Sequence, residues 1–301
     1  MFSTMWGMKK FADLNDFLRT VPRFGMTGVE LNHQIRPAML ESMDLAQVRV
    51  SSVHEPCPAA ISSEELRKKD ILLSSPDEAR RQQGVASIKR SIELAHQLGA
   101  HTVIVHPGQV QADGTLEKEL RALVTAGEAQ SPKFLEIRDR MVQIRVSLIG
   151  PYMDAVKKSL LELLDFASRF QVRIGIENRY HHLDIPSLDE MGELLALEVS
   201  DRFGFLYDVG HAQTLDRLGF YPHEEWLKRY ASRIIGIHLH DALGVDDHKA
   251  PGLGEVDFRM VGSYLPKNAY RTLEVQSSNT PEQIKAGLKI LVDTGCINRI
   301  S

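Results

Sequence analysis

An α/β chain folded as one (β/α)8 barrel is what this sequence predicts, on three observations. Eight apolar runs too short for helices recur along 301 residues, with helix-spaced stretches between them. Most runs end in a residue that can ligate a metal or move a proton, and barrels of this kind gather their chemistry at strand ends. No GxGxxG loop follows an early run, so the competing open, doubly wound sheet lacks its usual phosphate-binding turn.

The runs are 2–5, the weakest of the set, 28–32 (GVELN), 49–54 (RVSSVH), 102–106 (TVIVH), 173–178 (RIGIEN), 203–208 (FGFLYD), 234–240 (IIGIHLH) and 270–275 (YRTLEV). Short runs rich in β-branched residues suit parallel strands buried on both faces. Between them the spacing predicts helices over 8–22, 85–98, 152–170 and 281–291. Another opens at Pro186 and Ser187, where Ser187 as N-cap and Glu190 three positions on form a capping box. One connection breaks the rhythm. Residues 107–151 follow the fourth strand, far longer than the roughly 2–6 residues usual for such loops. This insertion has helical character over 116–124 and 134–149, and its six Lys and Arg are matched by six Asp and Glu. It is therefore no basic clamp, and its place over the barrel mouth suits either a lid or a homo-oligomer contact. No repeat or linker divides the chain, so a single domain over 1–301 is expected.

Hydrophobic residues at 43% and charged residues at 25% are ordinary for a globular protein. A net charge of -4 argues against a nucleic-acid or acidic-membrane partner and favours a small molecule. Two cysteines, Cys57 and Cys296, make no disulfide framework. With twelve histidines beside so few thiols, a reducing, cytoplasmic setting is expected. The first residues, MFSTMWGMKK, lack the apolar core of a signal peptide, and no run approaches a membrane span.

Glu30, His54, His106, Glu177, Asp208, His238 and Glu274 stand at or next to the ends of seven runs. His211 follows Asp208 by three residues in YDVGHA, a spacing that returns both side chains to one place. Asp246 and His248 extend from the loop after the seventh run. Carboxylates and imidazoles gathered this densely repel one another and pay a desolvation penalty unless cations join them. These are the ligand types of zinc, manganese and similar ions. The expected metal ligands are Glu177, Asp208, His238 and Glu274, with His54, His106, His211, Asp246 and His248 extending the set. Glu30, Arg179, His182, His240 and Lys249 complete the mouth as substrate-side residues. Arg179 could pair with a substrate phosphate or carboxylate, or equally with its own neighbours. His240 alternates with His238 and should point away from it, supporting the site from behind. His96 and His101 read as solvent-facing. The glycines of PGLGEVDF permit close backbone approach to a ligand, or simply a tight turn.

The segments VHPG, GIEN, YDVGH, HLHD, DDH, PGLGEVDF and TLEV occur in that order. With them the chain resembles the xylose-isomerase-like TIM-barrel superfamily. That superfamily includes sugar and sugar-phosphate isomerases and epimerases, inosose-pathway enzymes and the endonuclease IV type of apurinic-site nuclease. Tagatose-3-epimerase-like members hold one divalent ion with two glutamates, an aspartate and a histidine, matched here by Glu177, Asp208, His238 and Glu274. Endonuclease IV-like members hold three zinc ions with nine ligands, matched by the extended set above. The nuclease reading meets an acidic chain, few scattered cations (Arg36, Arg179, Lys249), and His240 where its HLND motif has asparagine. The resemblance therefore implies a metal-dependent isomerase or epimerase of a sugar, keto sugar or sugar phosphate, using one or more zinc or manganese ions. It would transfer a proton through an enediolate, with Glu177 and Glu274 as base and acid and His211 on a substrate oxygen. The alternative is a multi-zinc phosphodiesterase acting on abasic DNA.

Overall fold

In the computed structural model, which describes residues 1–298, eight parallel strands close into a barrel. They are β1 Phe2–Ser3, β2 Gly28–Leu31, β3 Arg49–His54, β4 Thr102–Val105, β5 Arg173–Glu177, β6 Phe203–Asp208, β7 Ile234–Leu239 and β8 Tyr270–Leu273. Strands adjacent in sequence are adjacent in space, and β1 closes the ring by pairing Phe2 with both Val29 and Leu273. Every predicted strand is present. Six stop one or two residues earlier than predicted, which makes His106, Asn178, His240 and Glu274 loop residues that leave the sheet beside its end.

Strand side chains alternate between faces. One parity, Val103 and Val105, Ile174 and Ile176, Phe203, Phe205 and Tyr207, Ile237 and Leu239, joins the large apolar core under the helices. The other parity carries Glu177, Asp208 and His238 toward the barrel axis. A bulge between Val29 and Glu30 shifts the register so that Glu30 lies opposite Ser52.

Helix boundaries differ from the spacing in ways that caps explain. Leu14–Thr20 begins later than predicted because Asp13 caps it, its carboxylate accepting from Asn15 N. Glu78–Gln97 begins earlier because Asp77 caps it in the same manner. Ser187 and Glu190 form the expected capping box on Leu188–Leu195. The predicted helices 134–149 and 152–170 are one continuous helix, Pro132–Ser168. At about 1.5 Å per residue it is roughly 55 Å long. Pro151 does not end it: the proline and Ser147, whose carbonyl loses its partner, are both exposed, so water can serve that oxygen. The first half of this helix packs Phe134, Ile137 and Met141 against Leu120 of helix Thr115–Thr125 and against Leu218. The second half packs Val156, Leu160 and Leu163 into the barrel core. The insertion is thus joined to the body by a helix and by a small apolar core. Among the described residues no helix is long and apolar enough to cross a membrane.

After β7 the chain forms an antiparallel ribbon, Asp241–Leu243 with Asp246–Lys249. Its alternation is broken at His248, a non-glycine residue at φ 56°.

Candidate metal centre

His238 of β7 lies in register with Asp208 of β6. Its Nδ1 faces three carboxylates at once: Glu274 Oε2 at 2.8 Å, Glu177 Oε1 at 2.9 Å and Asp208 Oδ2 at 3.5 Å. One nitrogen donates at most one hydrogen, so it cannot serve all three. His54 adds Nε2 at 3.7 Å from Glu177 Oε2. Ligand atoms of His54, Glu177, His238 and Glu274 lie within 4.8 Å of one another, as do those of Asp208, His211, His240 and His248. Burial disfavours a charged His238, yet Glu274 and Glu30, helped by Asp208 and Glu177, hold its pKa well above the ordinary histidine value. Burial likewise pushes Glu177 up, and His106 and Arg179 overcome it, keeping the carboxylate ionised. The cluster calls for positive charge at Nδ1, and a divalent ion there fits the donor set.

The opposite edge of the ring explains its orientation. His238 Nε2 is 2.9 Å from Glu30 Oε1, while Glu30 Oε2 accepts from Ser52 Oγ at 2.6 Å and Thr272 Oγ1 at 3.3 Å. Glu30 therefore sits fully buried beneath His238 and aims the ring, rather than meeting substrate at the mouth.

Hydrogen bonds on the other imidazoles indicate which nitrogens are open. His211 Nδ1 donates to Asn178 O at 2.9 Å, leaving Nε2 buried and without a hydrogen-bond partner. His248 Nδ1 bonds to Asp247 Oδ1 at 2.8 Å, leaving Nε2 4.0 Å from Glu274 Oε2. His54 Nδ1 approaches Glu55 O at 3.3 Å. His240 is different. The main-chain N–H of His248 donates to its Nδ1 at 2.9 Å, which places the ring proton on Nε2, and Nε2 donates to Asp208 at 2.9 and 3.0 Å. His240 does not point away from His238 as expected: two residues apart, the two share a face, and His240 stands among Asp208, His211 and His248. With both nitrogens engaged it has no lone pair left for a metal; it holds Asp208. Gly210 makes room for it, since a Cβ there would stand 2.1 Å from the His240 ring.

Asn178 ties the neighbouring strand ends together, donating to Asp208 O at 2.9 Å and accepting from Asp208 N at 2.8 Å. Asp208 in turn caps helix Val209–Arg217, accepting from His211 N at 2.7 Å. His106 Nε2 lies between Glu177 Oε2 at 2.5 Å and Arg179 Nη1 at 2.7 Å, so it borders the centre without an open nitrogen there.

Four predicted residues stand elsewhere or are already engaged. Asp246 points outward and pairs with Lys249 at 2.6 Å, taking both away from the cluster. Asp247 turns in instead, its Oδ2 3.8 Å from His211 Nε2, because the positive φ of His248 breaks the ribbon's alternation. His182 is buried against Phe220, ring centroids 3.8 Å apart, and does not line the cavity. Arg179 lines the cavity but is bound to Glu177 and Asp184.

A cavity of about 600 Å³ opens above the centre, within the usual range for small-molecule sites. Sequence reading missed His33, Glu55, Tyr180 and Asp247 among its lining. His33 is the second residue past β2, a position that could have drawn notice; nothing in the sequence distinguished Asp247 from Asp246. Burial pushes the Glu55 carboxyl up to about 7. Tyr180 stacks on His211 at 4.8 Å. Its carbonyl accepts from Arg121 of the insertion at 2.5 Å, and the insertion's Glu117 holds His181 Nδ1 at 2.6 Å.

Residues 18–294 match the xylose isomerase-like TIM barrel family. Protein MJ1311 of Methanocaldococcus jannaschii is 23% identical over 221 residues, 72% of this chain and 64% of that protein, so the chain spans less than two thirds of that relative. A D-tagatose 3-epimerase-like protein superposes with TM-score 0.67 at 20% identity, covering 97% of this chain and 95% of the other. The IolI protein with a bound zinc atom superposes with TM-score 0.65 at 16% identity, covering 98% and 96%. At these identities the two structures establish a shared fold.

Proposed function

The chain belongs to the xylose isomerase-like TIM barrel family, and from that premise we propose that it is a divalent-metal-dependent isomerase or epimerase of a sugar, keto sugar or sugar phosphate. The observation carrying this reading is the convergence of Glu177, Asp208 and Glu274 on His238 Nδ1, all within 3.5 Å, at the foot of the cavity. Glu177, Asp208, His238 and Glu274 would hold the ion, with His54 alongside. When bound, a divalent ion supplies Lewis-acid polarisation of a carbonyl and its neighbouring hydroxyl, worth several kcal/mol.

The two glutamates differ in tethering. Glu177 Oε2 is pinned by Arg179 Nη1 at 2.6 Å, whereas Glu274 Oε1 accepts from the Ser3 hydroxyl at the longer distance of 3.3 Å. Glu274 is thus the freer to take a proton from a substrate carbon, with Glu177 as its counterpart on the other side of His238. His211, whose ring proton is on Nδ1, presents the lone pair of its unpartnered Nε2 to hold a substrate hydroxyl by accepting its hydrogen bond. Tyr180, stacked on His211 and gripped by the insertion, shields that position from water, which favours the insertion as a lid.

Metal content of protein purified without added ions tests this reading together with turnover of a keto-sugar panel and an abasic-site duplex. One ion per chain with sugar turnover is the expected result. Three zinc ions with strand cleavage would replace it by the phosphodiesterase alternative.

A further inference from the structure

The two arginines that line the cavity are already engaged by the protein's own carboxylates. Its lining contains three lysine and arginine side chains, Lys9, Arg67 and Arg179. Arg67 Nη2 bonds to Asp184 Oδ1 at 2.6 Å, and Arg179 reaches Glu177 Oε2 at 2.6 Å and Asp184 Oδ2 at 3.6 Å. Diverting Arg67 to a ligand phosphate would take its 2.6 Å contact from the buried Asp184, and diverting Arg179 would take one from the buried Glu177. Lys9 is exposed at the rim. Against these three cations the described lining sets five carboxyl groups, Glu55 among them with its pKa raised by burial to about 7. A phosphate dianion would add negative charge where both arginines are already engaged.

The main chain points the same way. Barrels of this class commonly hold phosphate on N–H groups of the loops after the seventh and eighth strands. After β7, Gly252 N and Gly254 N donate to Asp241 Oδ2 at 2.8 and 3.0 Å, and Ala242 N and Val256 N donate to Oδ1 at 2.9 and 3.0 Å. The loop is a nest for an anion, and the chain's own buried Asp241 fills it. Gly254 is needed for the fit, since a Cβ there would stand 2.4 Å from Asp241 Oδ1. After β8, Gln276 N donates to His248 O at 2.9 Å and Asn279 N to Gln276 O at 3.1 Å. Thr280 N and Gln283 N are held within a capping box.

We propose that this centre takes an uncharged keto sugar or polyol and discriminates against its phosphate esters. The reaction rests on the isomerase reading; the substrate class rests on the engaged cations and the filled nest. Neutral polar groups, His33, Gln34, Gln276 and Ser277, line the cavity on the side of β1, β2 and β8 and suit hydroxyls.

The test offers metal-saturated protein matched pairs of ketoses and their terminal phosphate esters. Exchange of carbon-bound hydrogen with deuterated water reads turnover, and titration calorimetry reads affinity. The expected kcat/KM for a free ketose exceeds that of its ester by about a hundredfold, the scale set when a polar group meets an unprepared site. A preference for the ester overturns the proposal while leaving the isomerase reading intact. Should no pair turn over, the isomerase reading fails and affinity decides: tighter binding of the free sugar supports the proposal, tighter binding of the ester overturns it. In Lys9→Ala the ratio between the pair should stay unchanged; a tenfold loss confined to the ester would mark Lys9 as a phosphate contact and overturn the proposal.

Discussion

His238 and His240 stand two residues apart at the end of one strand, and their nitrogens do opposite things. His238 is held from behind by Glu30 and turns Nδ1 toward three carboxylates. His240 accepts a main-chain N–H on one nitrogen and gives its proton to Asp208 with the other. Both are wholly buried and both lie within ligand distance of their neighbours. Proximity alone therefore does not define a ligand; what the far nitrogen meets does, a carboxylate behind His238 and a main-chain N–H on His240, because it decides where the ring proton sits.

The sharpest way to break this contrast is at a carboxylate facing His238. Glu274→Gln should lower proton exchange at the substrate carbon by about 10³-fold, read in deuterated water; exchange at the wild-type rate would remove Glu274 from that role. His240→Asn should weaken metal affinity by about 10- to 100-fold without changing the number of ions bound. Zinc titration checks this, and loss of a whole ion would make His240 a ligand after all. Between pH 6 and 8 metal affinity should rise by about tenfold per unit. The sign follows from His238, whose raised pKa means that the ion must displace a proton, and this becomes easier as pH increases. A flat profile would mean that Nδ1 does not bind. Smallest of all, Asp246→Asn should alter affinity less than about twofold, as expected of an exposed ion pair. Asp247→Asn, which withdraws charge from His248 and His211, should cost about tenfold. Equal effects would erase the distinction between the two aspartates.

The eight strands were legible because short β-branched runs, buried on both faces, survive any detail of packing. So were the strand-end carboxylates and histidines, since the register of parallel strands brings their ends to one rim whatever the loops do. Pro151 misled, because a proline is read as a helix boundary, yet on the exposed side of Pro132–Ser168 its missing hydrogen bond is tolerated. Glu30 misled for another reason: a glutamate one residue short of a strand end looks like a mouth residue until its depth beneath His238 is known.

By itself, then, the sequence determined the barrel, its family and the residue types at its mouth, because each follows from local pattern and strand periodicity. Only the tertiary structure decided which nitrogen of each histidine is open, that Asp247 rather than Asp246 turns inward, and that Asp184 and Asp241 engage the arginines and amides that an anion would need. These outcomes depend on hydrogen bonds between residues far apart in the chain and on one backbone angle at His248, and no local pattern encodes them.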